Sequence, residues 1–345
     1  MVADGAAPQS FGRYLVYEQL GEGGMATVHR AERVGKDGRR ECALKRLLPR
    51  VAVQQDARRA FVDEGRLTRY LHHPNIVATY ESGTFRETAF IAMEYAPGPT
   101  LKQLAQHCSV TAGAIPTPVM LNIAAQLCDA LDYAHNLRGE DGEPLGIIHR
   151  DVSPSNIIVF DGGHVKLIDF GLAKARLRTG EETAVGLIKG KYNYIAPEYL
   201  AGELDARADL WALGVVMYEL LTCRRLFDGF DDVETMTRVR KLPIPRPSLA
   251  NPRVSREVDE VVMTALERDP TRRWQSAAAM RDALRSVIAM PRNFVANQVV
   301  IDWTTWVFTQ QTRTETSGLS PLLPPPPAPP PPAIAPPPAQ PRELD

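Results

Sequence analysis

His149-Arg150-Asp151-Val152-Ser153-Pro154-Ser155-Asn156 is followed, a short distance beyond Asp151, by Asp169-Phe170-Gly171. Ala196-Pro197-Glu198 comes next, then Asp209-Leu210-Trp211-Ala212-Leu213-Gly214. Each piece alone is ordinary. Asp169, within Ile-Asp-Phe-Gly, reads by itself as a turn aspartate bonded to its own backbone. The information lies in the order and spacing of the four.

The texture of the chain changes once around this pattern. Upstream, residues 14 to 95 carry short alternating runs: YLVYEQL (14–20), ATVHRAERV (26–34), RECALKRLL (40–48), IVATYES (76–82) and AFIAMEY (89–95). Gly, Asp and Asn separate them, so they predict strands. One helix interrupts them, from about Asp56 to Leu71, and stops before His73-Pro74. From Thr117 onward helices dominate. Thr117 reads as an N-cap with Pro118 at the first helical position. Leu121, Ala124, Cys128, Leu131 and His135 mark one face of that helix. Ala206–Leu221 is apolar nearly all round, which predicts a helix buried on every side. The stretch 138–146 (RGEDGEPLG) is charged and glycine-containing and predicts a surface hairpin. The fold class is α+β, a small β-rich lobe (14–96) before a larger helical lobe (97–290). No internal repeat is visible.

Composition bounds the function. The 345 residues are 23% charged and 44% hydrophobic, enough for a bilobal core. Forty basic against forty-one acidic residues leave a net charge of −1, so no global field favours nucleic acid or an anionic membrane. Cys42, Cys108, Cys128 and Cys223 are far apart, which argues against a disulfide scaffold or an all-cysteine zinc site and fits a reducing compartment. The N-terminal stretch MVADGAAPQS lacks a signal pattern. The longest apolar run, WALGVVMYELL, is too short to span a membrane and contains Glu219. The expectation is a cytoplasmic globular protein.

The ends differ from the middle. Residues 1–13 read as unstructured. Between Pro321 and Pro341 most positions are proline, so residues 313–345 read as an extended tail, either a stiff spacer or a ligand for a proline-binding partner domain. Residues 291–312 place Val299, Trp303 and Trp306 on one helical face, for docking on the main body or for contact with a partner or membrane surface.

A second chemical signal precedes the first. Leu20 is followed by Gly21-Glu22-Gly23-Gly24-Met25-Ala26-Thr27-Val28, where the missing Cβ atoms let backbone N–H groups approach phosphate oxygens. Glycines also make plain hairpins, so the loop alone is weak. No Gly-Lys-Ser/Thr follows, and the next segment reads as a strand, which disfavours P-loop and Rossmann sites. Cys42-Ala43-Leu44-Lys45 then puts a lysine on an apolar strand. Glu64, further along in the predicted helix, can supply its carboxylate or stand as a solvated helix charge.

With the glycine loop and Lys45 included, these segments resemble the protein kinase family, in its eukaryotic-like bacterial serine/threonine form, over residues 14 to 290. The resemblance implies a bilobal kinase fold and transfer of the γ-phosphate of ATP to protein hydroxyls. It implies that Asp151 orients the substrate hydroxyl and that Asn156 and Asp169 bind Mg²⁺, which suits hard oxygen ligands. Lys45, held by Glu64, would grip the α- and β-phosphates beneath the glycine loop. Met93, Glu94 and Ala96 would frame the adenine, the last two through backbone groups, with Ala43 above it. Phe170 would pack between the lobes, Glu198 would pair with Arg273, and Asp209 would accept hydrogen bonds from the catalytic loop.

The sequence departs from the family in places. Ala26 replaces the third glycine of the loop. Ser153 stands where the family has a lysine, and Lys191 where it has a threonine that touches that lysine. A cation and a hydroxyl have thus changed places, and we expect Lys191 to supply the charge that Ser153 lacks; the plainer reading is a solvated lysine beside Lys189. Activation-segment phosphorylation is also implied, with Thr179 or Thr183 as acceptor and Arg150 and Lys174 as phosphate partners. Pro154, and the absence of Ala-Ala-Arg, favour serine/threonine over tyrosine. The rival readings are a nucleotide-binding pseudokinase scaffold, favoured weakly by Ser153, and a small-molecule phosphotransferase. Substrate, activating signal and oligomeric state are not encoded legibly.

Overall fold

The computed structural model of the chain describes residues 7–111, 114–160, 163–170 and 192–290, with 302, 303 and 305. Alternating runs in the first part form an antiparallel sheet. Its strands are β1 (Gln9–Phe11), β2 (Tyr14–Glu22), β3 (Ala26–Gly35), β4 (Gly38–Leu47), β5 (Thr79–Phe85) and β6 (Thr88–Met93). Their order is β1-β2-β3-β4-β6-β5. The period of two divides the side chains between two faces. Tyr14, Val16, Ala31, Cys42, Leu44, Phe90 and Ala92 cluster on one face. Ala26, Leu47, Ala89 and Ile91 lie on the other, against Ala57 and Phe61 of the sheet's long helix. That helix is α2 (Gln55–Thr68), after the single turn α1 (Pro49–Ala52).

Two departures from expectation have local causes. Residues 1–13 were expected to lack structure, yet Gln9–Phe11 pairs antiparallel with Tyr14–Val16. Phe11 supplies the anchor: it is buried, with its ring 4.9 Å from Phe85 and 5.6 Å from Phe90. Gly12, at φ +58°, makes the tight reversal. One aromatic among polar residues is too short a pattern to read as a strand. Second, β5 begins at Thr79 rather than Ile76. Ile76 bridges Leu167 instead, and Val77 N donates to Leu167 O at 3.1 Å, which ties the sheet to the helical lobe.

The helical lobe comprises α3 (Leu101–Thr111), α4 (Thr117–His135), α5 (Arg207–Thr222), α6 (Asp232–Lys241), α7 (Pro247–Ala250), α8 (Arg256–Ala265) and α9 (Ala277–Ile288). In α4 Thr117 is already helical and Pro116 is the cap. The proline at 118 tolerates this because a first-turn N–H has no helical partner to lose. Leu121, Ala124, Cys128 and Leu131 are fully buried in the main core. Helix α5 is buried on every side, and its Trp211 stacks on Phe227 with centroids 5.8 Å apart. Residues 138–146 do form a hairpin, closed by Gly139 N to Glu143 O at 2.8 Å. A second small hairpin, β7 (Ile157–Val159) and β8 (Val165–Leu167), lies just after Asn156. Trp303 is buried in the main core; Val299, Trp306 and the proline-rich tail lie outside the described residues. Among the described residues no helix is long and apolar enough to cross a membrane.

Candidate active site

Strand register explains how the upper half of the site is built. Val28 lies opposite Lys45, Lys45 opposite Ile91, and Ala43 opposite Met93. All therefore share the face that α2 covers. From that face the Lys45 ammonium reaches Glu64 Oε1 at 2.7 Å and Asp169 Oδ1 at 2.8 Å. The three groups come from a strand, a helix and the opposite lobe. Burial alone would depress the lysine, but the Asp169 and Glu64 charges outweigh it and raise it above its ordinary value. The cation is thus fixed as a cation.

The position of Glu64 depends on α2. Thr68 Oγ1 donates to Glu64 O at 2.8 Å and accepts from Thr79 Oγ1 at 3.0 Å. Both threonines are buried, so this chain of hydroxyls pins the last turn of α2 to β5. Nothing in the sequence pattern marked them, because a threonine pair split between a helix and a strand has no periodic signature.

The lower half hangs on Asp209, which is 1% exposed in the first turn of α5. Its oxygens accept from His149 N and Arg150 N, each at 2.8 Å, and from His135 Nε2 at 2.8 Å. Burial works to raise the Asp209 carboxyl, but the His135 and His149 contacts win and hold it below the usual range. His135, read from sequence only as one member of an apolar face, is thus a site-building residue. The His149 ring, 4.5 Å from the Phe170 ring, accepts from Asp151 N at 3.2 Å through Nδ1 and bonds Ile168 O at 3.1 Å through Nε2. Arg150 at φ +66° and Asp169 at φ +57° occupy the left-handed region. Such strain costs about 1–3 kcal/mol per residue and persists where surrounding bonds over-determine it.

Asn156 follows in a short 3₁₀ turn. Its Nδ2 donates to Asp151 O and Oδ2, both at 2.8 Å. The amide nitrogen is committed, which leaves the oxygen as the atom of this side chain that could coordinate a cation. Ile168 N donates to Asn156 O at 2.9 Å, so the Asn156 and Asp169 segments run side by side. Asp151, Asn156, Asp169, Lys45 and Glu64 therefore join one hydrogen-bonded neighbourhood. Ser153 is buried, with its hydroxyl 3.1 Å from that of Ser155. Lys191, Lys174, Thr179 and Thr183 lie outside the described residues.

The glycine loop is a hairpin between β2 and β3, with Gly21 opposite Val28, Glu22 opposite Thr27, and Gly23 N donating to Ala26 O at 2.9 Å. A Cβ at Gly21 would meet nothing within 4 Å, so this glycine leaves room rather than filling a packed spot. Leu20 is exposed and Ala26 buried, while Met25 O accepts from Leu48 N at 2.9 Å. After Met93 the chain leaves the sheet. Glu94 N donates to Ala78 O at 2.8 Å, and its carboxylate takes the Lys166 ammonium at 2.7 Å, which anchors the start of the connecting stretch 94–96. Lys166, on an apolar strand like Lys45, carries the same sequence signal, and only its ion pair with Glu94 tells the two roles apart. Glu198 meets Arg273 through two bonds, of 2.6 and 2.9 Å, and the arginine side chain is fully buried. Among the described residues Arg150 Nε is buried without an acceptor.

The family model for the protein kinase domain matches residues 14–284. The tyrosine-protein kinase MasK of Myxococcus xanthus is 36% identical over 283 residues, 81% of this chain and 44% of that protein. The serine/threonine-protein kinase PknB of Mycolicibacterium smegmatis is 38% identical over 277 residues, 78% of this chain and 42% of that one. PrkC of Bacillus subtilis, also named a serine/threonine-protein kinase, is 34% identical over 283 residues, covering 81% and 41%. This chain spans less than half the length of these relatives. A crystal structure of the Mycobacterium tuberculosis PknI kinase domain superposes with a TM-score of 0.63 at 28% identity, over 83% of this chain and all of that one.

Proposed function

This chain belongs to the protein kinase family, and we propose that it transfers the γ-phosphate of ATP to serine or threonine hydroxyls of proteins. The observation that carries the reading is the Lys45 ammonium bridging Glu64 and Asp169 across the two lobes. That arrangement is a cation fixed for an anionic ligand beside a carboxylate able to share a metal. Among the described residues no three acidic, histidine or cysteine side chains cluster as a metal cage. Two oxygen ligands, Asn156 Oδ1 and Asp169, fit Mg²⁺, which keeps waters and takes phosphate oxygens. Bound there, the ion would neutralise charge on the β- and γ-phosphates.

The chain's own groups do the rest. Lys45 holds the α- and β-phosphates, and the open backbone of residues 21–25 covers them. Asp151 accepts the proton of the acceptor hydroxyl as that oxygen bonds the γ-phosphorus and the bond to the β-phosphate oxygen breaks. Asn156 keeps Asp151 aimed. The adenine lies against Ala43, Met93 and the Glu94–Ala96 backbone. Lys191 provides the charge beside the γ-phosphate that Ser153 does not. Arg150 Nε, buried and without an acceptor among the described residues, supports phosphorylation of Thr179 or Thr183, which would give that guanidinium its anion. A cytoplasmic setting fits four unpaired cysteines. The proline-rich tail serves as a spacer or as a ligand for a proline-binding domain.

The name of the Myxococcus relative favours a second acceptor, tyrosine. Phosphoamino-acid analysis of a generic basic protein and of the chain itself, after incubation with radiolabelled ATP, decides between them. Label in phosphoserine and phosphothreonine is expected; label confined to phosphotyrosine overturns the acceptor class, and no label overturns catalysis.

A further inference from the structure

The face of the sheet opposite Lys45 ends in an arrangement that phosphotransfer does not use. Tyr14 on β2 lies directly opposite Arg33 on β3, and Arg33 directly opposite Arg40 on β4. The alternation puts this row on the same side as the Ala31–Cys42 pair, away from α2. The row borders a cavity of about 330 Å³, whose other walls include His72, Tyr80 and Cys42. Two like charges directly opposite on a ladder repel each other and destabilise the pairing unless an anion lies between them.

Among the described residues no carboxylate lines the cavity. The acidic residues nearby are engaged elsewhere: Glu32 by Tyr17 and Arg39, Glu41 by Arg30, Glu81 by Arg13, and Glu94 by Lys166. An independent observation points the same way. Tyr14 is 2% exposed, and among the described residues its hydroxyl has no hydrogen-bond acceptor. The Arg13 guanidinium beside that hydroxyl can only donate to it, so the phenol proton is left without an acceptor, at a cost of about 1–3 kcal/mol. The cavity thus presents donors without an internal acceptor.

We propose that this cavity is a second ligand site, which binds a phosphate group carried either as free phosphate or on a phosphorylated side chain. Its charge of about −1.5 to −2 near neutral pH balances two guanidinium groups, whereas a carboxylate would leave one uncompensated. Its several acceptor oxygens match two planar forks and a phenol. The cavity lies on the back of the sheet, away from Lys45, and its chemistry is independent of catalysis in the cleft.

The test uses the full chain with its nucleotide site filled by a non-hydrolysable ATP analogue and Mg²⁺, at constant ionic strength. Calorimetry is run with inorganic phosphate and with a short phosphoserine peptide. Saturable one-site binding is expected at millimolar concentration or below. Arg33→Gln with Arg40→Gln should weaken it at least about tenfold, the loss of charge-assisted bonds, and Tyr14→Phe should weaken it severalfold. Arg150→Ala should not change it. Thermal unfolding supplies a second readout. Without ligand Arg40→Gln should melt no lower than the parent, since a repulsion is removed, and phosphate should raise the midpoint of the parent but not of the variant. Tighter binding of the peptide identifies a protein-borne phosphate; equal binding identifies the free anion. Absence of saturable binding, equal binding by the arginine variants, or loss of binding in Arg150→Ala overturns the proposal.

Discussion

At the scale of single residues, the exchange of lysine and hydroxyl between Ser153 and Lys191 is the sharpest departure from the family. Ser153 is buried and bonded to Ser155, so it is a fixed part of the loop that carries Asp151, with no charge to offer. If Lys191 carries the missing charge, Lys191→Ala should lower kcat by about 10²–10³-fold, the usual loss for one transition-state donor, while ATP binding holds. Ser153→Lys with Lys191→Thr should restore most of it. Unchanged turnover in Lys191→Ala would leave that lysine a surface charge. Asp209 makes a prediction in pH. Its carboxyl is depressed in the fold, so its contribution is complete above the unfolded value of about 3.9 and is lost as pH falls through the lower native value. Acid titration followed by tryptophan fluorescence should show unfolding in that window, and Asp209→Asn should flatten the dependence there while lowering stability at neutral pH.

At the scale of elements, two contacts decide how parts meet. The Thr79–Thr68–Glu64 chain sets the rotation and height of α2. Thr68→Val breaks it and strands the Thr79 hydroxyl, at about 1–3 kcal/mol. We expect a lower kcat and a higher KM for ATP, because Glu64 no longer sits fixed under Lys45, and rescue by Thr68→Ser. Equal kinetics for Thr68→Val would reduce the pair to packing. The Glu198–Arg273 bridge joins the segment before α5 to the loop before α9, and Arg273 also donates to Arg207 O at 2.9 Å and Glu267 O at 3.1 Å. Arg273→Met leaves the Glu198 charge unpaired, and urea unfolding should show a loss of about 3–5 kcal/mol.

At the scale of the molecule, the two-lobe plan and the residues that meet in the cleft were legible because their signals are strong and redundant. Strand alternation marks which face Lys45 occupies, and the order of Asp151, Asn156 and Asp169 marks segments that the fold brings side by side. What escaped had weak or single signals. Gln9–Phe11 is a strand held by one aromatic and a glycine turn. Arg86 and Glu87 close the β5–β6 hairpin at φ +45° and +67°, a geometry usually signalled by Asn-Gly. His135, Lys166, Thr68 and Thr79 act through partners distant in sequence, which no local pattern reveals. The Tyr14–Arg33–Arg40 row is visible only once register is known.

The proposed chemistry of the cleft is phosphotransfer through Asp151 rather than mere retention of nucleotide. Single-turnover transfer from radiolabelled ATP, measured at equal nucleotide occupancy in the parent and in Asp151→Asn, tests it most directly. Transfer by the parent is expected, with a loss of about 10²-fold or more in the variant and ATP binding retained. Nucleotide binding without transfer in the parent, or equal transfer by the variant, would contradict it.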